Sequence, residues 1–116
     1  MESKEKFINK IYEYYNKLSK EIIPKELLND LILKIADNQF KFYKNCFEKY
    51  PKSRKRYSEF KVKDLETSST YFFILDYFRS KEIKNESILK YSKNLFKMTN
   101  EEFLKFDYYK RWYEEK

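Results

Sequence analysis

The sequence has no glycine and no histidine, and only two prolines and one cysteine in 116 residues. Without glycine there is no phosphate-cradling loop of the P-loop or Rossmann kind, where the backbone must approach the phosphates closely. Hairpin turns of the Asn-Gly or Gly-X type are excluded by the same absence. Without histidine, and with Cys46 alone, Cys/His zinc sites, Ser-His-Asp and Cys-His nucleophiles and imidazole acid–base chemistry are excluded. Cys46 has no partner for an intrachain disulfide, whereas a small secreted domain usually carries several bridges. The opening residues, Met1-Glu2-Ser3-Lys4-Glu5-Lys6, are charged and unlike a secretory leader. The longest apolar run, Tyr71 to Leu75, falls far short of the roughly 20 residues that cross a bilayer. These absences predict a cytoplasmic protein with no membrane partner, no cofactor, no metal and no small-molecule substrate. They leave a helical binding module, or an enzyme built from carboxylates, lysines and tyrosines alone.

Aromatic rings are abundant, at 21% of the chain, and charged residues make up 39%. That many rings can supply one packed core, and the length suits a single domain over residues 1–116. The net charge is +7, and its excess is local. Between Lys49 and Lys63 lie seven bases (Lys49, Lys52, Arg54, Lys55, Arg56, Lys61 and Lys63) against one acid, Glu59. The rest of the chain is close to neutral, so an anionic partner would meet one concentrated positive field.

The hydrophobic periodicity is helical. Phe7, Ile8, Ile11, Tyr14, Tyr15, Leu18 and Ile22 recur at three and four, giving one stripe from about Glu2 to Lys20. A second, long helix runs from Pro24 to about Tyr50, with Leu27, Leu28, Leu31, Ile32, Ile35, Phe42, Cys46 and Tyr50 as its apolar positions. Pro51 ends it, because the residue before proline avoids the α region. Residues 51–67 read as irregular and basic, anchored by Tyr57, Phe60, Val62 and Leu65. Thr67, Ser68 and Ser69 are helix-start residues. The run that follows reads as a buried helix reaching Arg79, since no second strand is available to pair with it. A short helix begins at Asn85 or Ser87, and Thr99-Asn100-Glu101-Glu102 forms a capping box before a last helix to about Glu115. The fold class is therefore all-α, a compact bundle of four to six helices around an aromatic-rich core.

Several constellations are candidates for chemistry. Asp64 and Glu66 could ligate a hard cation, and Glu59-Phe60-Lys61 has the acid-x-lysine form of many metal nucleases. Those nuclease sites lie on adjacent strands, and no sheet is predicted. Tyr57 is the one tyrosine beside a basic pair, Lys55-Arg56, yet an aromatic that pins a basic loop to the core explains it more simply. Cys46 falls on an apolar stripe and reads as a small buried hydrophobe. A helix-turn-helix spacing over 85–115 would present Glu101, Glu102 and Asp107 to phosphates, which would repel them.

The basic stretch carries the stronger signal. Lys52, Arg54, Lys55 and Arg56 follow a helix-ending proline and are expected to project into solvent, with Tyr50, Tyr57 and Phe60 interleaved. Cations attract phosphates, and rings stack on unpaired bases. This combination points to RNA or single-stranded nucleic acid rather than to the reading of duplex base edges. The alternative is a protein-interaction module, of the viral or phage inhibitor or immunity-protein kind, whose bases are drawn to an acidic partner surface.

Three further segments share a pattern in order along the chain. Asp37-Asn38-Gln39-Phe40-Lys41-Phe42-Tyr43 places a Gln before mixed aromatic and basic residues. Phe72-Phe73-Ile74-Leu75-Asp76-Tyr77-Phe78-Arg79 is an aromatic helix ending in Arg, and Phe103-Leu104-Lys105-Phe106-Asp107-Tyr108-Tyr109 a closing segment rich in Phe and Tyr. In this order the chain resembles the small helical subunit of type III-A CRISPR interference complexes, a family of short, basic, all-helical proteins. It departs from that pattern where Phe40 replaces an aliphatic residue and Phe42 a second base. The last helix also lacks a Glu-x-x-x-Ala-Tyr character. The resemblance implies a non-catalytic subunit of a defence-related ribonucleoprotein, contacting target or guide strands, with Gln39, Lys41 and Arg79 as candidate contacts.

The ligand inventory yields a direct expectation. With no His and one Cys, the purified protein should carry no stoichiometric transition metal. Elemental analysis checks this, and a metal at one equivalent would contradict it.

Overall fold

The computed structural model describes residues 1–18 and 25–82. The expected helices beyond Glu82, the capping box at Thr99, the helix-turn-helix spacing and the closing aromatic segment lie outside the described residues, as does Ile22. Within them the chain is all-α, with four helices and no strand: α1 (Lys4–Leu18), α2 (Lys25–Lys49), α3 (Arg54–Tyr57) and α4 (Ser68–Ser80). Two 3-10 turns, Pro51–Ser53 and Val62–Glu66, complete the connection between α2 and α4.

Ser3 starts α1 by accepting the Lys6 amide on its side chain at 3.3 Å. One face then repeats every four residues, and Phe7, Ile11 and Tyr15 are fully buried. This stripe packs along α2, the longest element, whose 25 residues span about 37 Å at a helical rise of about 1.5 Å per residue. The buried positions of α2 are Leu28, Leu31, Ile32, Ile35, Ala36, Gln39, Tyr43 and Cys46. The second half departs from the expected stripe. Phe42 and Tyr50 are 53% and 55% exposed. Counting on from Ile35 by fours reaches Gln39 and Tyr43, whereas Phe42 lies about 100° round the helix on the flank. The sequence pattern favoured the more hydrophobic-looking residue over the one in register.

Thr67 caps α4 by accepting the Thr70 amide at 3.4 Å, the role expected of this Thr-Ser-Ser run. The Phe-rich segment is helical and buries Ile74, Leu75, Tyr77 and Phe78. The Tyr77 hydroxyl donates to Asp30 of α2 at 2.8 Å, tying the two helices together. Residues 51–67 are more regular than the sequence indicated. Ser53 donates its amide to the Tyr50 carbonyl at 2.8 Å, and Asp64 donates its amide to the Lys61 carbonyl at 3.0 Å. The Ser58 hydroxyl donates to the Lys55 carbonyl at 2.9 Å, closing the single turn of α3.

The core is aromatic at its centre. Phe7 meets Phe40, Tyr43 and Phe60 at centroid separations of 5.4, 5.2 and 4.8 Å. Edge-on and tilted arrangements of this kind place positive ring edges against negative faces. Phe60 is the one fully buried side chain between Tyr50 and Val62. Burying it stabilises by roughly 2–3 kcal/mol, more than a surface ion pair contributes, so the ring is what draws this basic segment onto the bundle.

Charges then fix its position. The Glu2 carboxylate accepts two bonds from Lys10 Nζ, at 3.0 and 2.8 Å, and the Phe60 amide at 2.8 Å. Lys10 also donates to the Phe60 carbonyl at 3.2 Å, and the Glu2 amide donates to the Ser58 carbonyl at 2.8 Å. Burial pushes the Glu2 carboxyl up, but its bonds from Lys10 and the Phe60 amide, with Lys6 nearby, outweigh this and hold it below the ordinary carboxylate range. Because the folded value is the lower one, the stability from this charge is complete above about pH 5 and is lost as pH falls through the folded value. Glu2→Gln should therefore lower Tm near neutral pH by about 4–8 °C, for roughly 1 kcal/mol. The gap from the natural chain should narrow as pH falls through the folded value of Glu2, below the ordinary glutamate value. Calorimetry across that range checks both, and a gap independent of pH would refute the assignment.

Candidate functional site

The residues predicted from sequence fall into distinct electrostatic settings. Arg56 departs from expectation. It does not project freely into solvent, because its Nη2 donates to both oxygens of Asp64, at 3.2 and 3.1 Å. Its Nη1 donates to the Tyr43 hydroxyl at 3.2 Å, and its guanidinium lies 5.0 Å from the Tyr57 ring centroid and 5.7 Å from that of Tyr43. Asp64, the acid that neutralises it, is eight residues away in sequence but adjacent in space. The Tyr43 hydroxyl and then the Asp64 carboxylate raise the Arg56 pKa further above its ordinary value, against the opposing effect of desolvation.

The Tyr43 hydroxyl is the hub of this cluster. It donates to Asp64 and accepts from Arg56 and from the Lys61 amide, the last at 3.1 Å. Burial and then the Asp64 carboxylate raise its pKa, so it stays a neutral donor. The Asp64 carbonyl in turn accepts from the hydroxyls of Thr67 and Thr70, at 3.0 and 2.9 Å. Gln39 Nε2 donates to the Thr70 hydroxyl at 3.3 Å, which holds its amide in place at the base of the cluster. Gln39 is buried, so its access to any strand is through the pocket it lines and not from the open surface.

Two other predicted bases, Lys61 and Lys41, are paired. Lys61 Nζ is 3.7 Å from Glu59, and Lys41 Nζ is 3.0 Å from Asp37, which Lys4 also engages at 2.7 Å. Lys61 and Lys63 border an open groove of about 850 Å³ beside α1. There four lysines (Lys10, Lys17, Lys61 and Lys63) face Glu13, Glu59 and Glu66, so the local field largely cancels. Arg79 is exposed on the last turn of α4, apart from the basic segment in sequence. Asp64 and Glu66 do not share a site. Asp64 holds Arg56, and Glu66 accepts the Tyr14 hydroxyl at 2.7 Å. Among the described residues no three His, Cys, Asp or Glu side chains converge.

Lys49, Lys52, Arg54 and Lys55 are exposed and make no ion pair among the described residues, as is also true of Lys63 and Arg79. They differ in standing close together in sequence, with no carboxylate in their stretch except Glu48. Glu48 is likewise exposed without an ion pair among the described residues. Arg54 is steadied by Phe47, whose carbonyl accepts its Nε at 3.3 Å and whose ring lies 5.5 Å from its guanidinium carbon. Tyr50, more than half exposed, stands within this group in sequence. Phe60, expected among the interleaved rings, is buried and serves packing alone.

A pocket of about 370 Å³ opens between α2 and the connection to α4. Gln39, Arg56 and Tyr57, three predicted residues from two separate segments, line it together with Asn38, Phe42, Asp64, Thr67 and Ser69. Phe42 and Asn38 were missed as site residues. A helical count in steps of four from Ile35 would have placed both on the outer flank of α2. Among the described residues, no helix is long and apolar enough to cross a membrane. No protein-family model, curated protein or solved structure matches this chain.

The hub and the open lysines should respond differently to substitution. Tyr43→Phe removes one donor and one acceptor from a half-closed network and should cost about 1–3 kcal/mol. Lys55→Ser should stay within about 0.5 kcal/mol of the natural chain. Urea denaturation measures both, and equal effects would mean that the hub does not hold the segment.

Proposed function

We propose that this chain is a non-enzymatic nucleic-acid-binding protein, taking RNA or single-stranded segments, and that it acts as a subunit of a larger ribonucleoprotein or defence-related assembly. The observation that carries the reading is the sorting of its cations. Lys4, Lys10, Lys41, Arg56, Lys61 and Lys81 each lie within 4 Å of a carboxylate. Of the exposed bases with no such carboxylate among the described residues, Lys6, Lys17, Lys34, Lys44, Lys63 and Arg79 are scattered, whereas Lys49, Lys52, Arg54 and Lys55 fall within seven consecutive positions. Like charges held close repel each other, and a phosphate chain relieves that repulsion while releasing its own counterions. Exposed Tyr50 beside them offers a ring for stacking, which favours unpaired strands over duplex. The sequence likeness to a CRISPR small subunit supports the same reading, since that family is basic, helical and non-catalytic.

Salt dependence tests it. Replacing Lys49, Lys52 and Lys55 with Ser leaves Arg54, which is tied to Phe47, in place. At roughly 0.7 per phosphate contact on a single strand, the log–log salt slope should flatten by about two. Affinity for a short generic RNA should fall about a hundredfold near 0.1 M salt by the same relation. Fluorescence anisotropy across a salt series measures both. If the natural chain binds no oligonucleotide at low salt, the surface is directed at an acidic protein instead, and the nucleic-acid reading fails.

A further inference from the structure

We propose that the pocket between α2 and the segment leading to α4 receives one unpaired nucleobase from a strand whose phosphates lie on Lys49–Lys55. This rests on the strand-binding reading above and assigns a second, chemically distinct subsite to it.

The charge balance of the pocket argues first. Its two ionised side chains, Arg56 and Asp64, are bonded to each other through both carboxylate oxygens. A phosphate entering there would have to compete with a carboxylate already seated on the guanidinium. The unpaired bases nearby offer it better electrostatics. The pocket therefore suits an uncharged group.

Shape argues next. At about 370 Å³ the pocket is at the small end of ligand sites, enough for one flat ring system rather than a chain. Phe42 lines it and, at 53% exposed, is the most open of the rings on α2. Its ring stands across those of Tyr57, at 6.0 Å and 83°, and Tyr43, at 6.3 Å and 69°, so neither lies stacked parallel on it. An exposed ring with no parallel partner, beside polar side chains, is what a base stacks on, and such stacking is tolerant of base identity.

The polar wall completes the match. Asn38 and Gln39 bring side-chain amides, and Ser69 a hydroxyl, so donors and acceptors stand side by side. The Watson–Crick edge of every base also presents donors and acceptors together, and single-strand readers bond to that edge. Gln39 is positioned for this by its bond to Thr70. Continuity links the subsites: Tyr57 in the pocket wall ends the same helical turn that carries Arg54 and Lys55. A strand on those bases is within a few residues of the pocket mouth.

The test compares two oligonucleotides of equal length and charge, a uridine homopolymer and the same backbone with abasic sites throughout, by anisotropy at low salt. The natural chain should bind the base-bearing strand roughly fivefold to a hundredfold more tightly, the worth of one or two stacked bases. Phe42→Leu keeps an apolar side chain on an exposed position and removes the flat face. It should weaken binding of the base-bearing strand several-fold, leaving only the preference that stacking on Tyr50 supplies, with the salt slope unchanged. Equal binding of both strands by the natural chain overturns the pocket assignment and leaves the phosphate reading standing. A full base preference retained in Phe42→Leu and in Asn38→Ala also overturns it. Failure of both strands to bind at low salt removes the phosphate reading, and the pocket assignment with it.

Discussion

One hydroxyl governs the geometry of the basic segment. Tyr43 sits on the buried face of α2, and its oxygen accepts from Arg56 and from the Lys61 amide while donating to Asp64. Those partners come from α3, from the extended residues after it and from the second 3-10 turn. Three short pieces of chain with little core of their own are thereby referred to one point on the longest helix. Phe60 supplies the apolar attraction, and Glu2 with Lys10 a second anchor at Ser58 and Phe60, between the residues that Tyr43 holds. The Asp64 carbonyl passes the constraint on to Thr67 and Thr70, and so to the start of α4. The order of dependence is helix, hydroxyl, loop, next helix.

This arrangement also decides what each cation can do. A base that closes a network has spent its charge on the fold, and a base left outside has its field available to solvent. Arg56 and Lys55 are neighbours in sequence yet belong to opposite classes. The difference follows from direction alone. Residues around one helical turn point to different sides, and one side of α3 faces Tyr43 and Asp64.

Helix existence was legible in the sequence because period and caps act locally. The Phe7–Ile11–Tyr15 stripe, the proline stop after Tyr50 and the Thr67 cap all report on the residues within a turn of themselves. The 68–80 helix was legible by a different route, the absence of any strand to pair with. What stayed hidden depends on contacts across tens of residues. Nothing near Arg56 in sequence announces Asp64 as its partner, and nothing near Glu2 announces Phe60. Phe42 and Tyr43 are adjacent rings, and the choice between them was there to be read in the four-residue count from Ile35, which a preference for the less polar ring overrode. The pocket was illegible because its walls come from two segments whose residues are 14 to 31 positions apart. Its members Gln39, Arg56 and Tyr57 were noticed singly, without any sign that they meet.

The connection between α2 and α4 is built without glycine from two 3-10 turns and a single α turn, with Tyr50, Ser53, Lys61 and Thr67 at φ values of −121°, −104°, −101° and −86°. None of these is a conformation that ordinary residues resist. A basic arm of the flexible kind surrenders about 1–2 kcal/mol of backbone entropy for each residue that an anion fixes. Here that ordering is complete before any encounter, because folding has already imposed it. Under the proposed strand-binding reading, association at this surface would then be a docking event with no backbone folding step inside it, limited by diffusion and electrostatic steering rather than by conformational search.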